Sequence, residues 1–88
     1  MSRVDTDFDI ACEKVRAFTK RPTDDEMLAF YGLYKQATVG DCNIPEPSDE
    51  DLTAKAKWNA WIRYKGIIKQ VAKTGYILTH KKYAPQYA

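Results

Sequence analysis

Acidic residues are absent from the second part of this chain. All twelve aspartates and glutamates of the 88 residues lie between Asp5 and Asp51. Eight lysines and arginines follow Asp51, so the net charge of +2 hides an acidic first part and a basic second part. A basic surface of this kind indicates an anionic partner, which is a nucleic acid, an acidic membrane or a phosphorylated small molecule. The simpler alternative is a dipolar, solvated surface whose halves neutralise each other.

Cysteine and histidine are scarce, with two cysteines and one histidine. Cys12 and Cys42 are too few and too far apart to make a zinc site with a single histidine. We expect two free thiols, with Cys12 in the core and Cys42 in a loop, and neither a metal nor a cofactor. His80 stands beside Lys81 and Lys82, which disfavour its protonation. No Ser–His or Cys–His pairing is suggested, so we expect no catalytic residue and no enzyme activity.

Long apolar runs are also missing, since none approaches the roughly 18 residues that cross a bilayer. The polar start, Met1 to Asp5, predicts neither a signal peptide nor a myristoylation site, and residues 86–88 offer no cysteine for prenylation. We therefore expect a cytoplasmic protein. Its length predicts one domain over residues 1–88 with a thin core.

Two helices are predicted before residue 40, because apolar residues recur there at helical spacing and strand alternation fails. The first has Thr6 and Asp7 as possible caps and ends at the basic pair 20–21 before Pro22. Its apolar positions are Phe8, Ala11, Cys12, Val15 and Phe18. The second opens with a capping box of Thr23 and Glu26 and runs to Val39, where Gly40 closes it.

Two further helices are predicted after the proline-containing loop at 41–47. In the third, Ser48 and Asp51 form a possible capping pair and Gly66 ends the helix. Its apolar residues are Leu52, Ala56, Trp58, Trp61, Ile62 and Tyr64. The fourth extends from Ile67 to about Tyr83 and ends at Pro85, with Gly75 weakening its middle by roughly 1 kcal/mol relative to alanine. The four segments together predict an all-α bundle.

The second helix has two faces that must be covered. Phe30, Leu33 and Ala37 form an apolar stripe that is typical of a core. A second, mixed face comprises Met27, Tyr31, Tyr34, Lys35 and Thr38. Hydroxyls and an ammonium are unfavourable in a dry core, so this mixed face indicates the wall of a ligand site.

A lysine and an aromatic residue share a helix face twice. Tyr31 and Lys35 are four residues apart, and Lys57 and Trp61 repeat the spacing on the third helix. Lysine provides a point charge for phosphate, and tyrosine provides a ring and a hydroxyl. Trp58 and Trp61 are predicted to be core residues, because large aromatics in small bundles usually are. The alternative is that one of the two borders the ligand site. A snorkelling surface lysine is the alternative for Lys57.

A nucleic-acid binder with aromatic platforms would also suit these features. The concentrated acidic part of the chain and the lack of a recognised nucleic-acid module weigh against it, so we expect no nucleic-acid partner. The residues by themselves indicate a helical bundle with a phosphate-and-aromatic site.

Two segments resemble the signatures of the acyl-CoA-binding protein family. The first, residues 31–41, reads YGLYKQATVGD, and the second, residues 55–61, reads KAKWNAW. Their order and separation match the family, as do Phe8, Pro22 and Tyr76. The similarity covers essentially the whole chain. It implies an up-down-down-up four-helix bundle that binds medium- to long-chain fatty-acyl-CoA and acts as an intracellular carrier and pool former.

The resemblance also implies roles for individual residues. Tyr31, Tyr34, Lys35 and Lys57 would engage the ribose 3′-phosphate and the nucleotide. Tyr76 would pack on the adenine or the pantetheine. Met27 and Leu28 would line the acyl groove, with Arg16 at its rim.

The resemblance implies a monomer with transient contacts to membranes or to enzymes that use acyl-CoA. The alternative function is a receptor-binding or membrane-interacting signalling peptide built on the same bundle. Ile67 and Ile68 depart from the family, which usually opens its last helix with polar and acidic residues.

Overall fold

The computed structural model describes residues 2–88, so Met1, the first residue of the predicted domain, lies outside it. Within this range the chain forms four α-helices and no β-strand. They are α1 (Arg3–Arg16), α2 (Asp24–Thr38), α3 (Leu52–Ile62) and α4 (Lys69–Tyr87). The Cα atoms extend over 36 × 30 × 15 Å, so the helices make a flat layer. Their packing order across it is α1, α4, α2, α3.

Side-chain contacts at the helix ends fix the helix directions. Near the start of α1, Asp5 accepts a hydrogen bond from Lys73 in the first half of α4, at 2.6 Å. Beyond the end of α1, Phe18 packs on Tyr87 at the end of α4, with ring centroids 5.8 Å apart. Helices α1 and α4 are therefore parallel.

Helix α2 runs the other way. At its start, Glu26 accepts a hydrogen bond from the hydroxyl of Tyr87 at the end of α4. Near its end, the side chain of Gln36 donates to the carbonyl of Ile67, which precedes α4. The indole N–H of Trp61 at the end of α3 donates to the carbonyl of Gly40 beyond the end of α2, at 2.8 Å. Helix α3 is thus parallel to α2, and the predicted up-down-down-up bundle is confirmed.

The core lies between α1, α2 and α4, where aromatic rings pack edge to face. The ring of Tyr76 is 5.2 Å from the rings of both Phe8 and Phe30. The buried cluster consists of Phe8, Ala11, Cys12, Phe30, Leu33, Ala37, Ala72 and Tyr76. It includes the predicted apolar stripe of α2. Burial raises the pKa of the Cys12 thiol, and Cys12 and Cys42 are both free, as predicted.

Local signals predicted the limits of α2 correctly. The hydroxyl of Thr23 accepts from the N–H of Glu26 and the carboxylate of Glu26 accepts from the N–H of Thr23, which completes the capping box. Gly40 has φ 102° and Gly66 has φ 88°, in the left-handed region that glycine enters without strain. Gly66 follows a turn rather than ending α3 directly, since α3 finishes at Ile62.

The predicted caps of α1 were wrong. Its N-cap is Ser2, whose hydroxyl accepts from the N–H of Asp5, so the helix starts before Thr6 and Asp7. Helix α1 also ends at Arg16, earlier than the predicted end at the basic pair 20–21. The N–H groups of residues 19 and 20 donate to the carbonyl of Tyr87 instead of continuing the helix.

Three further expectations require correction. Helix α3 is capped by Asp51 rather than Ser48, since Asp51 accepts from the N–H of Ala54. Helix α4 continues through Pro85 to Tyr87, because contacts of its last turn offset the hydrogen bond that proline cannot donate. Trp58 is only half-buried and donates to the carbonyl of Ile44, so it supports a loop rather than the core.

The ion pair between α1 and α4 makes folding stability sensitive to acid. The hydrogen bond from Lys73 lowers the pKa of Asp5 from 3.8 to about 2. A carboxylate whose pKa is lower in the folded state than in the unfolded state stabilises the fold fully at a pH above its unfolded-state pKa. This stabilisation is lost as the pH falls towards the folded-state pKa. We expect the Asp5→Asn variant to be less stable than the wild type at pH 6. The difference should shrink between pH 4 and pH 2.

Urea denaturation at a series of pH values measures this effect. Asp9→Asn is the matched control, because Asp9 is exposed on the same helix and forms none of the ion pairs within residues 2–88. A stability difference that stays constant down to pH 2 would argue against the assignment.

Candidate functional site

A cavity of about 660 Å³ lies between the first halves of α2 and α3. Its lining is Arg21, Asp24, Met27, Leu28, Tyr31, Leu52, Thr53, Ala56 and Lys57. Apolar side chains from both helices form its inside. A cavity with such walls and a few polar groups at its edge is typical of a small-molecule site.

A second cavity, of about 290 Å³, adjoins the first across Met27 and Tyr31, which line both. It lies between α1, α2 and α4, and its lining is Val15, Arg16, Met27, Phe30, Tyr31, Tyr34 and Tyr76. The ring of Tyr34 stacks on Phe8 at 6.0 Å, and Tyr76 is 5% exposed. The two cavities form one elongated cleft on the mixed face of α2. We call it the front cleft.

Two lysines lie on aromatic rings where α2 and α3 meet. The Nζ atom of Lys57 is 5.6 Å from the ring centroid of Tyr31. One turn further along both helices, the Nζ atom of Lys35 is 4.9 Å from the ring of Trp61. Aromatic faces attract and orient a cation without neutralising its charge. The two predicted lysine–aromatic pairs therefore lie side by side. Each lysine contacts the aromatic ring on the neighbouring helix rather than the ring on its own helix.

Neither of these lysines has a carboxylate partner among the ion pairs of the described residues. Lys55, two residues before Lys57, contrasts with them: it donates to Glu46 and to Asp49, which raises the pKa of its ammonium. The charge of Lys55 is thus paired with two carboxylates, and its side chain links α3 to the loop that precedes it. Lys35 and Lys57 keep their charge available, so this end of the cleft attracts an anion.

A buried polar network fixes the end of α2 near Lys35. Gln36 is 1% exposed, and its amide donates to the carboxylate of Asp41 and to the carbonyl of Ile67, each at 2.8 Å. The same carboxylate oxygen accepts from the N–H of Gly66 at 2.8 Å. These bonds lower the pKa of Asp41, with the Gly66 N–H as the main cause. The network joins α2, the turn after α3 and the start of α4.

The front cleft brings together seven of the eight residues predicted to bind the ligand. Met27, Leu28, Tyr31 and Lys57 line the larger cavity, and Arg16, Tyr34 and Tyr76 line the smaller one. Lys35 lines neither cavity. It lies over the ring of Trp61, one turn after Tyr31 on α2. His80 stacks on Phe18 at 6.0 Å and lies outside both linings. Burial and the charges of Lys14 and Lys81 lower the pKa of its imidazole.

Sequence reasoning missed two apolar residues of the cleft. Leu52 and Ala56 were used only as apolar positions that predict the third helix. Both line the larger cavity, and Leu52 is 77% exposed there. Their spacing of one helical turn, immediately before Lys57, was a usable signal.

The fold and the cleft define a helical binding protein for an amphipathic anion. The chain matches the model of the acyl-CoA-binding protein family over residues 5–79. A protein from Dictyostelium discoideum described as an acyl-CoA-binding protein is 51% identical over 83 residues, which cover 94% of this chain and 99% of that protein. A homologue from Drosophila melanogaster is 45% identical over 97% of this chain and 99% of its own length.

Solved structures agree with this similarity. Acyl-CoA-binding protein 2 from Oryza sativa superposes with a TM-score of 0.88 at 31% identity, covering 94% of this chain and 92% of that one. ACBP from Moniliophthora perniciosa gives 0.81 at 40% identity, covering 98% and 94%. The chain therefore belongs to the acyl-CoA-binding protein family.

Proposed function

We propose that this chain binds medium- to long-chain fatty-acyl-CoA esters in the front cleft and serves as an intracellular carrier and pool former. The observation that carries the proposal is the pairing of an apolar cavity with Lys35 and Lys57, neither of which forms an ion pair with a carboxylate of residues 2–88. Acyl-CoA has the matching parts, since a phosphorylated nucleotide is joined to an apolar chain. Membership of the family supports the same ligand.

The site roles follow from the two parts of the cleft. Lys35, Lys57, Tyr31 and Tyr34 would bind the ribose 3′-phosphate and the nucleotide. Tyr31 and Lys57 line the larger cavity, Tyr34 lines the smaller one, and Lys35 lies over Trp61, one turn beyond Tyr31 on α2. A hydrogen bond to a charged group contributes about 1.5–3 kcal/mol. Tyr76 presents only a small exposed edge, which would contact the adenine or the pantetheine.

The acyl chain would lie in the larger cavity. Met27 and Leu28 form its α2 side, and the missed pair, Leu52 and Ala56, forms its α3 side. Each buried methylene contributes about 0.8 kcal/mol, so affinity should increase with chain length until the cavity is filled. Arg16, at the rim of the smaller cavity, would contact the ligand where it leaves the protein.

We further propose that the chain is a single-domain, cytoplasmic monomer that binds its ligand without catalysing a reaction. No group of three or more metal-ligating side chains occurs within residues 2–88, and no helix there is long and apolar enough to span a membrane. Native mass spectrometry of the purified protein tests the ligand class. We expect masses of the chain plus one acyl-CoA. A preparation without ligand that also rejects added palmitoyl-CoA would overturn the proposal.

A second candidate function, membrane docking or signalling, is favoured by the outer face of α4. Ile68, Val71 and Leu78 are exposed at 66%, 55% and 59% on a helix that carries no acidic residue. Apolar and basic residues on one helix suit an anionic lipid surface.

Flotation with phosphatidylserine vesicles, without acyl-CoA, tests this candidate. Binding that is lost when all three residues are changed to serine, but kept in Ile10→Ser on the exposed side of α1, would support it. Protein that stays unbound would exclude it.

A further inference from the structure

The last residues of α4 are bonded to the connection between α1 and α2. The N–H of Thr19 donates to the carbonyl of Tyr87 at 2.8 Å, and the N–H of Lys20 donates to the same oxygen at 3.3 Å. The hydroxyl of Thr19 lies 3.1 Å from the carbonyl oxygen of Ala88, to which it donates. Residues 19 and 20 of the connection thus take their hydrogen-bond partners from the end of α4 rather than from α1.

The side chain of Tyr87 adds a contact to the start of α2. Its hydroxyl donates to Oε1 of Glu26 at 2.5 Å, and this oxygen also accepts from the N–H of Thr23 at 2.8 Å. The hydrogen bond from Tyr87 is the main cause that lowers the pKa of Glu26, and the bond to Glu26 raises the pKa of Tyr87. The Tyr87 ring packs on Phe18 at 5.8 Å. We call these contacts the Tyr87 clamp.

The clamp encloses the part of the chain that forms one wall of the larger cavity. Arg21 and Asp24 line the cavity and lie between the clamped residues Thr19 and Glu26, and Met27 and Leu28 follow immediately. A shift of the first turn of α2 would therefore move four lining residues together. The match to the family model ends at residue 79, so Tyr87 lies beyond the matched stretch, whereas its partners at residues 18–26 lie within it.

We propose that Tyr87 is a positioning residue of the ligand site, which holds the first turn of α2 where Met27 and Leu28 receive the acyl chain. This inference rests on the proposed function, because it assigns the acyl chain to the larger cavity. The nucleotide end of the cleft lies one to two turns further along α2 and is held separately by the Gln36–Asp41 network. The clamp should therefore affect the acyl chain and not the nucleotide.

The Tyr87→Phe variant tests the role, because it removes only the hydroxyl and keeps the ring on Phe18. We expect the affinity for palmitoyl-CoA to fall on the order of three- to tenfold. This is less than the loss for a hydrogen bond made directly to a charged ligand group. The affinity for CoA, which has no acyl chain, should change by less than about twofold. Amide hydrogen exchange should accelerate at residues 24–28.

Tyr83→Phe is the matched control. Tyr83 lies one turn earlier on α4. Its ring packs on Phe30 at 6.1 Å and on Tyr87 at 6.2 Å, but its hydroxyl makes none of the hydrogen bonds of the clamp. A double-mutant cycle with Glu26→Ala separates positioning from general stability. If the hydroxyl acts through Glu26, the Tyr87→Phe change should have no further effect on palmitoyl-CoA affinity in the Glu26→Ala background.

The outcomes separate this inference from the proposed function. A wild-type protein that fails to bind palmitoyl-CoA contradicts the proposed function itself. A wild-type protein that binds, with Tyr87→Phe binding palmitoyl-CoA equally well, contradicts only the clamp. Equal losses for palmitoyl-CoA and CoA would also overturn the positioning role, because they would show a general loosening of the bundle.

Discussion

The Gly32→Ala variant should lose about 2–3 kcal/mol of folding free energy, at the upper end of the usual cost of overpacking. A Cβ atom at Gly32 would lie 2.3 Å from the carbonyl oxygen of Ala60 and 2.8 Å from the ring of Tyr64. The first of these neighbours is backbone, so α2 and α3 would have to separate. This cost should exceed the gain in helix propensity, about 1 kcal/mol for alanine over glycine.

Urea denaturation measures the effect, and the chain provides its own control. Gly75 also lies within a helix, but a Cβ there would meet only the flexible end of Leu33, at 3.1 Å. We expect Gly75→Ala to stay within about 1 kcal/mol of the wild type, since the propensity gain and the tight contact oppose each other. A Gly32→Ala protein as stable as Gly75→Ala would show that the two helices are not held this closely.

Replacing Lys57 by alanine should weaken the binding of palmitoyl-CoA tenfold or more, because a hydrogen bond to a charged group contributes about 1.5–3 kcal/mol. Its ammonium lies over Tyr31 beside the larger cavity, and it is paired with no carboxylate in the part of the chain that the structure describes. Lys35→Ala should show a loss of similar size. Stability in urea should change by no more than about 0.5 kcal/mol in either variant, as for ordinary surface substitutions.

Lys55→Ala is the control for the loss of one positive charge. Lys55 is on the same helix, but it is paired with Glu46 and Asp49 and lies outside the lining of the larger cavity. We expect it to change affinity less than about threefold, as for screened surface charges. Unchanged affinity in both Lys35→Ala and Lys57→Ala would refute the site assignment. An equal loss in Lys55→Ala would show that general charge attraction explains the effect.

Local chemistry predicted much of the fold from the sequence. The limits of α2 follow from the capping box at Thr23 and the glycine at position 40, which act within one turn. The mixed face of α2 predicted the wall of the cleft, since hydroxyls and a lysine at core spacing require a polar ligand. The family signatures then indicated which residues of that face to assign to the nucleotide and which to the acyl chain.

Features set by distant contacts could not be predicted in the same way. Pro85 stays helical because the last turn of α4 is bonded to residues 19, 20 and 26, far away in the sequence. Gly32 gave no local signal, and its role appears only where α2 meets the backbone of α3. The role of Leu52 in the cleft was not predicted, because apolar periodicity indicates a helix face and not what covers that face.

Calorimetric titration of the ligand-free protein with palmitoyl-CoA tests the central claim most directly. The front cleft predicts saturable binding of one ligand per chain. Affinity should increase from octanoyl- to palmitoyl-CoA as more methylenes are buried, and should weaken in Lys57→Ala but not in Lys55→Ala. The absence of saturable binding, or an affinity independent of both chain length and Lys57, would contradict the assignment of this cleft to acyl-CoA.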